Sequence, residues 1–142
     1  MSAENVEIVR RVVESFNQEG VDLQTLELFD SDVELSEWPE GPDARTYRGR
    51  EGMLRAQESW AEAWGWQQIE PREFVDLGDR VLVQLHHRAR GKGSAIDVEI
   101  DTFNVFTLRD GLITRMELFT DEDGARRAAG LSETIVESEE MQ

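Results

Sequence analysis

The sequence predicts an α+β domain, helices first and a mainly antiparallel sheet after, and three observations predict it. Apolar residues recur at three- and four-residue steps as far as Gly65, and from residue 66 onward they recur at every second residue. The later segments are divided by Gly-containing turns, "LGDR", "RGKGS" and "RDGL". Helices that precede strands, rather than alternating with them, pack as a layer on an antiparallel sheet. With 142 residues, 39% of them hydrophobic, the chain is long enough to bury one core and too apolar to stay unfolded. One domain is expected over residues 1–131, and residues 132–142 are an acidic tail expected to be mobile.

Each element has its own signal. "ENVEIVRRVVESFNQ" sets Val6, Val9, Val12, Val13 and Phe16 on one stripe and predicts a first helix ending near Gly20. "DLQTLELF" repeats the spacing through Leu23, Leu26 and Phe29 and predicts a short second helix. In "SDVELSEW", Val33 and Leu35 alternate with polar residues as in a strand. The Pro and Gly of "WPEGPDARTYRG" predict a loop, and "GREGMLRAQESWAEAWG" resumes helical spacing through Met53, Leu54, Trp60 and Trp64 until Gly65. Four strands then follow as a meander: "QQIEPREFVDLG", "DRVLVQLHHRARG", "SAIDVEIDTFNVFTLRDG" and "LITRMELFTD". A last short helix is expected over Ala125 to Ala129.

Charge and composition narrow the function. Asp and Glu number 31 against 15 Lys and Arg, a formal net charge of −16, so the average surface repels nucleic acid and anionic membrane. The one basic run, "HHRARGK" at residues 86–92, is short and falls at a hairpin end. No cysteine is present, which excludes disulfides and thiolate catalysis. No signal-peptide pattern opens the chain and nowhere do 18 apolar residues run together, so a cytoplasmic location is expected. The two adjacent histidines point to opposite faces of a strand, and no spacing of ligand residues assembles a metal site. "GKGS" lacks the strand-loop-helix setting of a phosphate loop, and no cofactor is implied.

The wording "VRRVVESFNQEGVD", "LFDSDVE", "YRGREG" and "FTLRDGLITRMELFTD", in this order of elements, resembles the SnoaL-like branch of the NTF2-like proteins over roughly residues 5–131. The resemblance implies a cone: three N-terminal helices packed on a strongly bent, mainly antiparallel sheet that encloses a pocket. It also implies a homodimer through the outer face of the sheet. Fold alone does not settle function, because this one carries isomerases, cyclases, epoxide hydrolases, dehydratases and plain binding modules.

Strand alternation then says which residues would face such a pocket. On the meander strand "SAIDVEIDTFNVFTLRDG" these are Val98, Ile100, Thr102, Asn104 and Phe106; on "DRVLVQLHHRARG", Val81, Val83, Leu85 and His87; on the last, Met116 and Leu118. His87 and Asn104 are the polar members, and they are the candidate catalytic residues. Asn104 stands seven residues before the hairpin glycine Gly111, where the resemblance implies a pocket histidine or a proton-donating acid. Its amide can donate to a ligand carbonyl or oxyanion but cannot take a proton. His87 suits proton transfer near neutral pH, or it is a structural histidine paired with Asn104 or backbone.

The resemblance places other relatives' tyrosine and carboxylate bases at Val13, Leu35 and Leu118, all apolar in this chain. Leu35, Trp60, Trp64, Leu85, Phe106, Met116 and Leu118 are the candidate ligand-binding residues, with Trp60 and Trp64 on one helix face as wall or lid, or as core. Trp38 and Trp66 are expected at a mouth or interface, and Tyr47 can face either way. Glu37 is a possible second acid if it turns inward and is otherwise a solvated carboxylate. Phe103, Val105 and Phe119 fall on the opposite face, where exposed apolar groups would serve a dimer. Two functions stay open: a binding module for a small hydrophobic, carbonyl-bearing molecule, or an isomerase, cyclase or dehydratase that uses His87 as acid or base and Asn104 as oxyanion donor.

Overall fold

A computed structural model describes residues 2–15, 23–37, 45–91, 93 and 96–131. In chain order these form α1 (Ser2–Ser15), α2 (Leu23–Leu26), β1 (Phe29–Glu37), β2 (Arg45–Arg48), α3 (Gly49–Ala63), β3 (Trp64–Asp76), β4 (Arg80–Gly91), β5 (Asp97–Arg109), β6 (Leu112–Phe119) and α4 (Glu122–Ala128). The expected tail 132–142, together with Phe16, Gly20 and Trp38, lies outside the described residues.

The strands build one curved, open sheet in the order β2-β1-β6-β5-β4-β3. β1 runs parallel to β6, and every other neighbouring pair is antiparallel. Bulges at Trp64/Trp66, Pro71/Glu73 and Thr107/Leu108 break the ladders and let the long strands bend. The β5–β6 turn puts Asp110 and Gly111 at φ 55° and 81°, the left-handed pair that a tight hairpin needs and that an Asp-Gly dipeptide supplies.

The concave face of the sheet and the first three helices share one core. Val9, Val12 and Val13 of α1 are fully buried against it, as are Val33 and Leu35 of β1, Val81 and Val83 of β4, Phe106 of β5 and Ile113 of β6. Arg10 on α1 stacks over the Phe74 ring, 4.5 Å from its centroid, so its aliphatic stem and charge both serve the β3 edge. α3 approaches β2 closely because Gly52 carries no side chain: a Cβ there would stand 3.1 Å from the Tyr47 carbonyl carbon. Tyr47 packs partly buried against the core.

Four expectations are corrected. Arg45–Arg48, read as loop, is strand β2, paired with Glu34–Glu37 of β1; four residues give too little periodicity to reveal a strand whose partner comes from elsewhere. Phe29 does not close the second helix but opens β1 and is buried. Trp64 is not on the third helix: α3 ends at Ala63 and Trp64 begins β3 opposite Gly91, so it shares no helix face with Trp60. Cross-strand pairing with β4 has overridden the helical spacing. Leu54, read as part of the buried stripe, is 40% exposed.

The outer sheet face carries a second apolar cluster, and the chain covers it. Leu82, Val105 and Phe119 are buried beneath Ala125 and Ala129 at the C-terminal helix, with Phe103 packed partly buried at the margin. Val105 and Phe119, taken as an exposed dimer face, are thus occupied by α4. α4 is held at its start by Asp121, whose carboxylate accepts a hydrogen bond from the Gly124 amide at 2.9 Å. Asp121→Ala is expected to cost about 1 kcal/mol of unfolding free energy, read from urea denaturation. No helix among the described residues is long and apolar enough to cross a membrane.

Candidate functional site

Between the sheet and α3 the cone encloses a cavity of about 300 Å³. β5 contributes Val98, Ile100, Thr102 and Asn104; β4 contributes Leu85, His87 and Ala89; β6 contributes Met116 and Leu118. Ile69 and Gln67 of β3 and Gln57 and Trp60 of α3 complete the lining. These residues stand in rows set by strand register. Gln67 lies opposite Ala89, and Ala89 opposite Val98; the next row is Ile69, His87 and Ile100. Leu85 and Thr102 follow, and Asn104 sits deepest, between Val83 and Leu118. Val98 and Ile100 are 40% and 43% exposed, so the cavity opens at that end, while Asn104 at the other is 1% exposed.

No lining residue carries a permanent charge, in a chain of net charge −16. The polar groups form a chain. Asn104 Nδ2 donates to Thr102 Oγ1 at 3.2 Å, and Thr102 Oγ1 is 2.7 Å from His87 Nε2. Thr102 has one proton to give, and His87 Nε2 is the acceptor it meets among the described residues. That assigns the proton of the neutral imidazole to Nδ1, which has no partner among the described residues, and the second N–H of the Asn104 amide is likewise unclaimed there. Burial pushes the His87 imidazole below its ordinary value of 6.5, the neighbouring His86 adds to this, and Asp101 opposes it. His87 therefore presents a neutral ring at physiological pH. Its preference for the neutral form supports the fold fully above pH 6.5 and is lost as pH falls through the lowered folded value.

Of the residues singled out in sequence, His87, Asn104, Trp60, Leu85, Met116 and Leu118 are brought together on this cavity. Leu35 and Phe106 are not: both are fully buried in the core and neither lines it. They lie on the inward face as expected, on either side of Met116 in one register row, but core neighbours cover them. The Trp64 side chain lies outside the described residues. Glu37 is not a solvated carboxylate; it is 6% exposed and accepts a hydrogen bond from Trp60 Nε1 at 2.5 Å, tying the end of β1 to the α3 wall. Gln57, Gln67, Ile69 and Ala89 also line the cavity and are not among the residues singled out in sequence, and Thr102 is among them only as an inward-facing residue. Alternation places Thr102 inward beside Asn104, but its role as the link to His87 depends on a diagonal contact across two strands, which spacing along one strand does not contain.

A wider depression of about 1120 Å³ lies between the start of α1 and the β3–β4 and β5–β6 turns, lined by Glu4, Asp30, Asp32, Asp79 and Asp110 among others. It is broad, open and lined by five carboxylates, whereas the inner cavity is mostly apolar with a few polar groups, which makes the inner cavity the better candidate site. Among the described residues no three His, Asp or Glu side chains group as a metal site.

The profile of the SnoaL-like domain matches residues 9–116, most of the 142-residue chain. No curated protein matches. Among solved structures, TerC co-crystallised with polyporic acid superposes with a TM-score of 0.71 at 24% identity, over 89% of this chain and 98% of that one. An NTF2-like protein from Burkholderia xenovorans LB400 matches with a TM-score of 0.69 at 26% identity, over 91% and 98%. A protein of ketosteroid isomerase-like fold from Catenulispora acidiphila DSM 44928, in complex with trimethylamine, matches with a TM-score of 0.69 at 17% identity, over 88% and 93%. With the profile spanning α1 through most of β6, and the curved sheet and cavity in place, this chain belongs to the SnoaL-like family of NTF2-like proteins.

Proposed function

We propose that this protein binds a small, uncharged, hydrophobic molecule through a carbonyl oxygen at the deep end of the cavity. One observation carries the reading: with Thr102 donating to His87 Nε2 and accepting from Asn104, the His87–Thr102–Asn104 chain leaves two N–H donors, on His87 and on Asn104, with no protein partner among the described residues. Two N–H donors in one apolar cavity without a permanent charge suit an acceptor such as a ketone or quinone oxygen, and an anion would find no cation to offset its desolvation. Val98 and Ile100 at the open end suit the apolar remainder of the molecule. The relatives crystallised with polyporic acid and with trimethylamine support small organic molecules as the general class of ligand.

The test is a thermal-shift titration with 1,4-naphthoquinone and 2-acetylnaphthalene as probes. Wild type is expected to be stabilised by each, by the mass-action relation between ligand concentration and dissociation constant. His87→Ala and Asn104→Leu are expected to lose most of the shift. Equal shifts in wild type and both variants, or none in any, would sink the reading.

A second reading is favoured by the neutral state of His87. An imidazole held unprotonated can remove a proton from the carbon beside a bound carbonyl while Asn104 donates to the developing oxyanion. The Thr102 hydroxyl must first swing away from Nε2 to free its lone pair. Deuterium exchange at the methyl group of 2-acetylnaphthalene, accelerated by wild type and not by His87→Gln, is the expected signature.

A further inference from the structure

The outer face of β4 carries a histidine that the cavity does not use. His86 stands next to His87 along the chain and, by strand alternation, on the opposite side of the sheet. Its Nδ1 is 2.6 Å from the Asp101 carboxylate and its Nε2 is 2.8 Å from that of Glu99. A neutral imidazole has one N–H and can satisfy one of these contacts, and the other nitrogen would then turn a lone pair toward a carboxylate. Only the doubly protonated ring makes both contacts hydrogen bonds.

We propose that His86 is carried as an imidazolium, clamped on the outer face by Asp101 and Glu99, and that its charge adds to burial in keeping His87, across the strand, in the neutral, single-donor form that faces the cavity. The outer surface thereby reinforces the proton state that burial favours at the site.

The surrounding charges fit this arrangement. From β5, Glu99 and Asp101 face His86; from β3, Glu70 is its register partner and Arg72 pairs with Glu70 at 3.3 Å. On β4 itself, Arg88 lies 3.8 Å from Glu99, and Gln84 reaches Asp101 at 3.5 Å. On the cavity side His87 meets no titratable lining residue from β3, β5, β6 or α3. The charge that disfavours its protonation comes from the far side of its own strand, from His86. In agreement, the hydrogen bonds to Asp101 and then Glu99 raise the His86 value above 6.5, and His86 is the second cause, after burial, of the lowered value of His87. The Asp101 carboxylate acts on His87 in the opposite sense and is the weaker influence of the two.

As pH falls below neutrality His86 is already charged, so His87 resists protonation and keeps its single-donor form further into the acid range. This rests on the reading of His87 as a cavity donor only for its consequence; the charge relation belongs to the protein without ligand and is tested there.

The chain has two histidines, so their imidazole resonances can be assigned by His86→Gln and His87→Gln. Nitrogen-15 spectra of the free protein at pH 7 are expected to show both ring nitrogens of His86 protonated and one of His87. In His86→Gln the titration midpoint of His87 is expected to move up, and in His86→Lys, which restores a positive charge, to stay near the wild-type value. An unprotonated ring nitrogen on His86 at pH 7, an unmoved His87 midpoint in His86→Gln, or an equal rise in both variants would each overturn the proposal. The wild-type spectra decide the first point even if a variant fails to fold. No ligand is present, so a failure here is distinct from a failure of the thermal-shift titration.

Discussion

Phe106→Ala is expected to lower the unfolding free energy by about 3–5 kcal/mol, measured by equilibrium urea denaturation. Phe106 is 0% exposed on the inward face of β5, opposite Val81 on one side and Met116 on the other, so truncation removes a full complement of packed neighbours and leaves a void behind. A domain of this size has a total stability on the order of 5–15 kcal/mol, so the loss is roughly a fifth or more. Leu118→Ala is the control. Leu118 is only partly buried and lines the open cavity, so part of its surface already lacks a partner atom and its truncation costs less. If Leu118→Ala cost as much as Phe106→Ala, the division drawn between packed core and cavity wall would be wrong.

The second large effect is expected at the α3 wall. Trp60→Phe retains the aromatic body and removes the indole N–H, leaving the Glu37 carboxylate, 6% exposed, without the one partner it has among the described residues. The expected cost is about 1–3 kcal/mol, the penalty for a buried polar group left unpaired. Removing both polar groups in Trp60→Phe/Glu37→Leu is expected to recover part of that loss, so a double-mutant cycle should show a coupling on the order of 1 kcal/mol or more. Additive single effects would mean that the hydrogen bond contributes nothing to holding α3 against β1. Because Trp60 also lines the cavity, Trp60→Phe is expected to weaken the naphthoquinone shift less than His87→Ala does.

Much of the site was legible through one regularity. Two-residue alternation along β4, β5 and β6 identifies the faces, and with them Leu85, His87, Asn104, Met116 and Leu118 as cavity residues. The same rule overreached at Leu35 and Phe106, because alternation gives the face of a residue but not whether core neighbours cover it. It also misjudged Val105 and Phe119, whose outward direction is correct but whose cover, α4, comes from the far end of the chain. At Trp64 the spacing of α3 continued past its true end, and pairing with Gly91 decided the matter.

What the sequence by itself determined is the order of the elements, the turns that join the meander, the SnoaL-like resemblance, and the face each strand residue occupies. These follow from local periodicity and from the φ requirements of a few turn residues, which neighbouring positions specify. Only the tertiary structure decided that β1 runs parallel beside β6, that β2 exists, that Glu37 is tied to Trp60, and that Thr102 joins Asn104 to His87. Each of these joins separate elements of the chain, or two strands through a diagonal pair, and such contacts arise from the bend and register of the sheet rather than from any pattern along the chain.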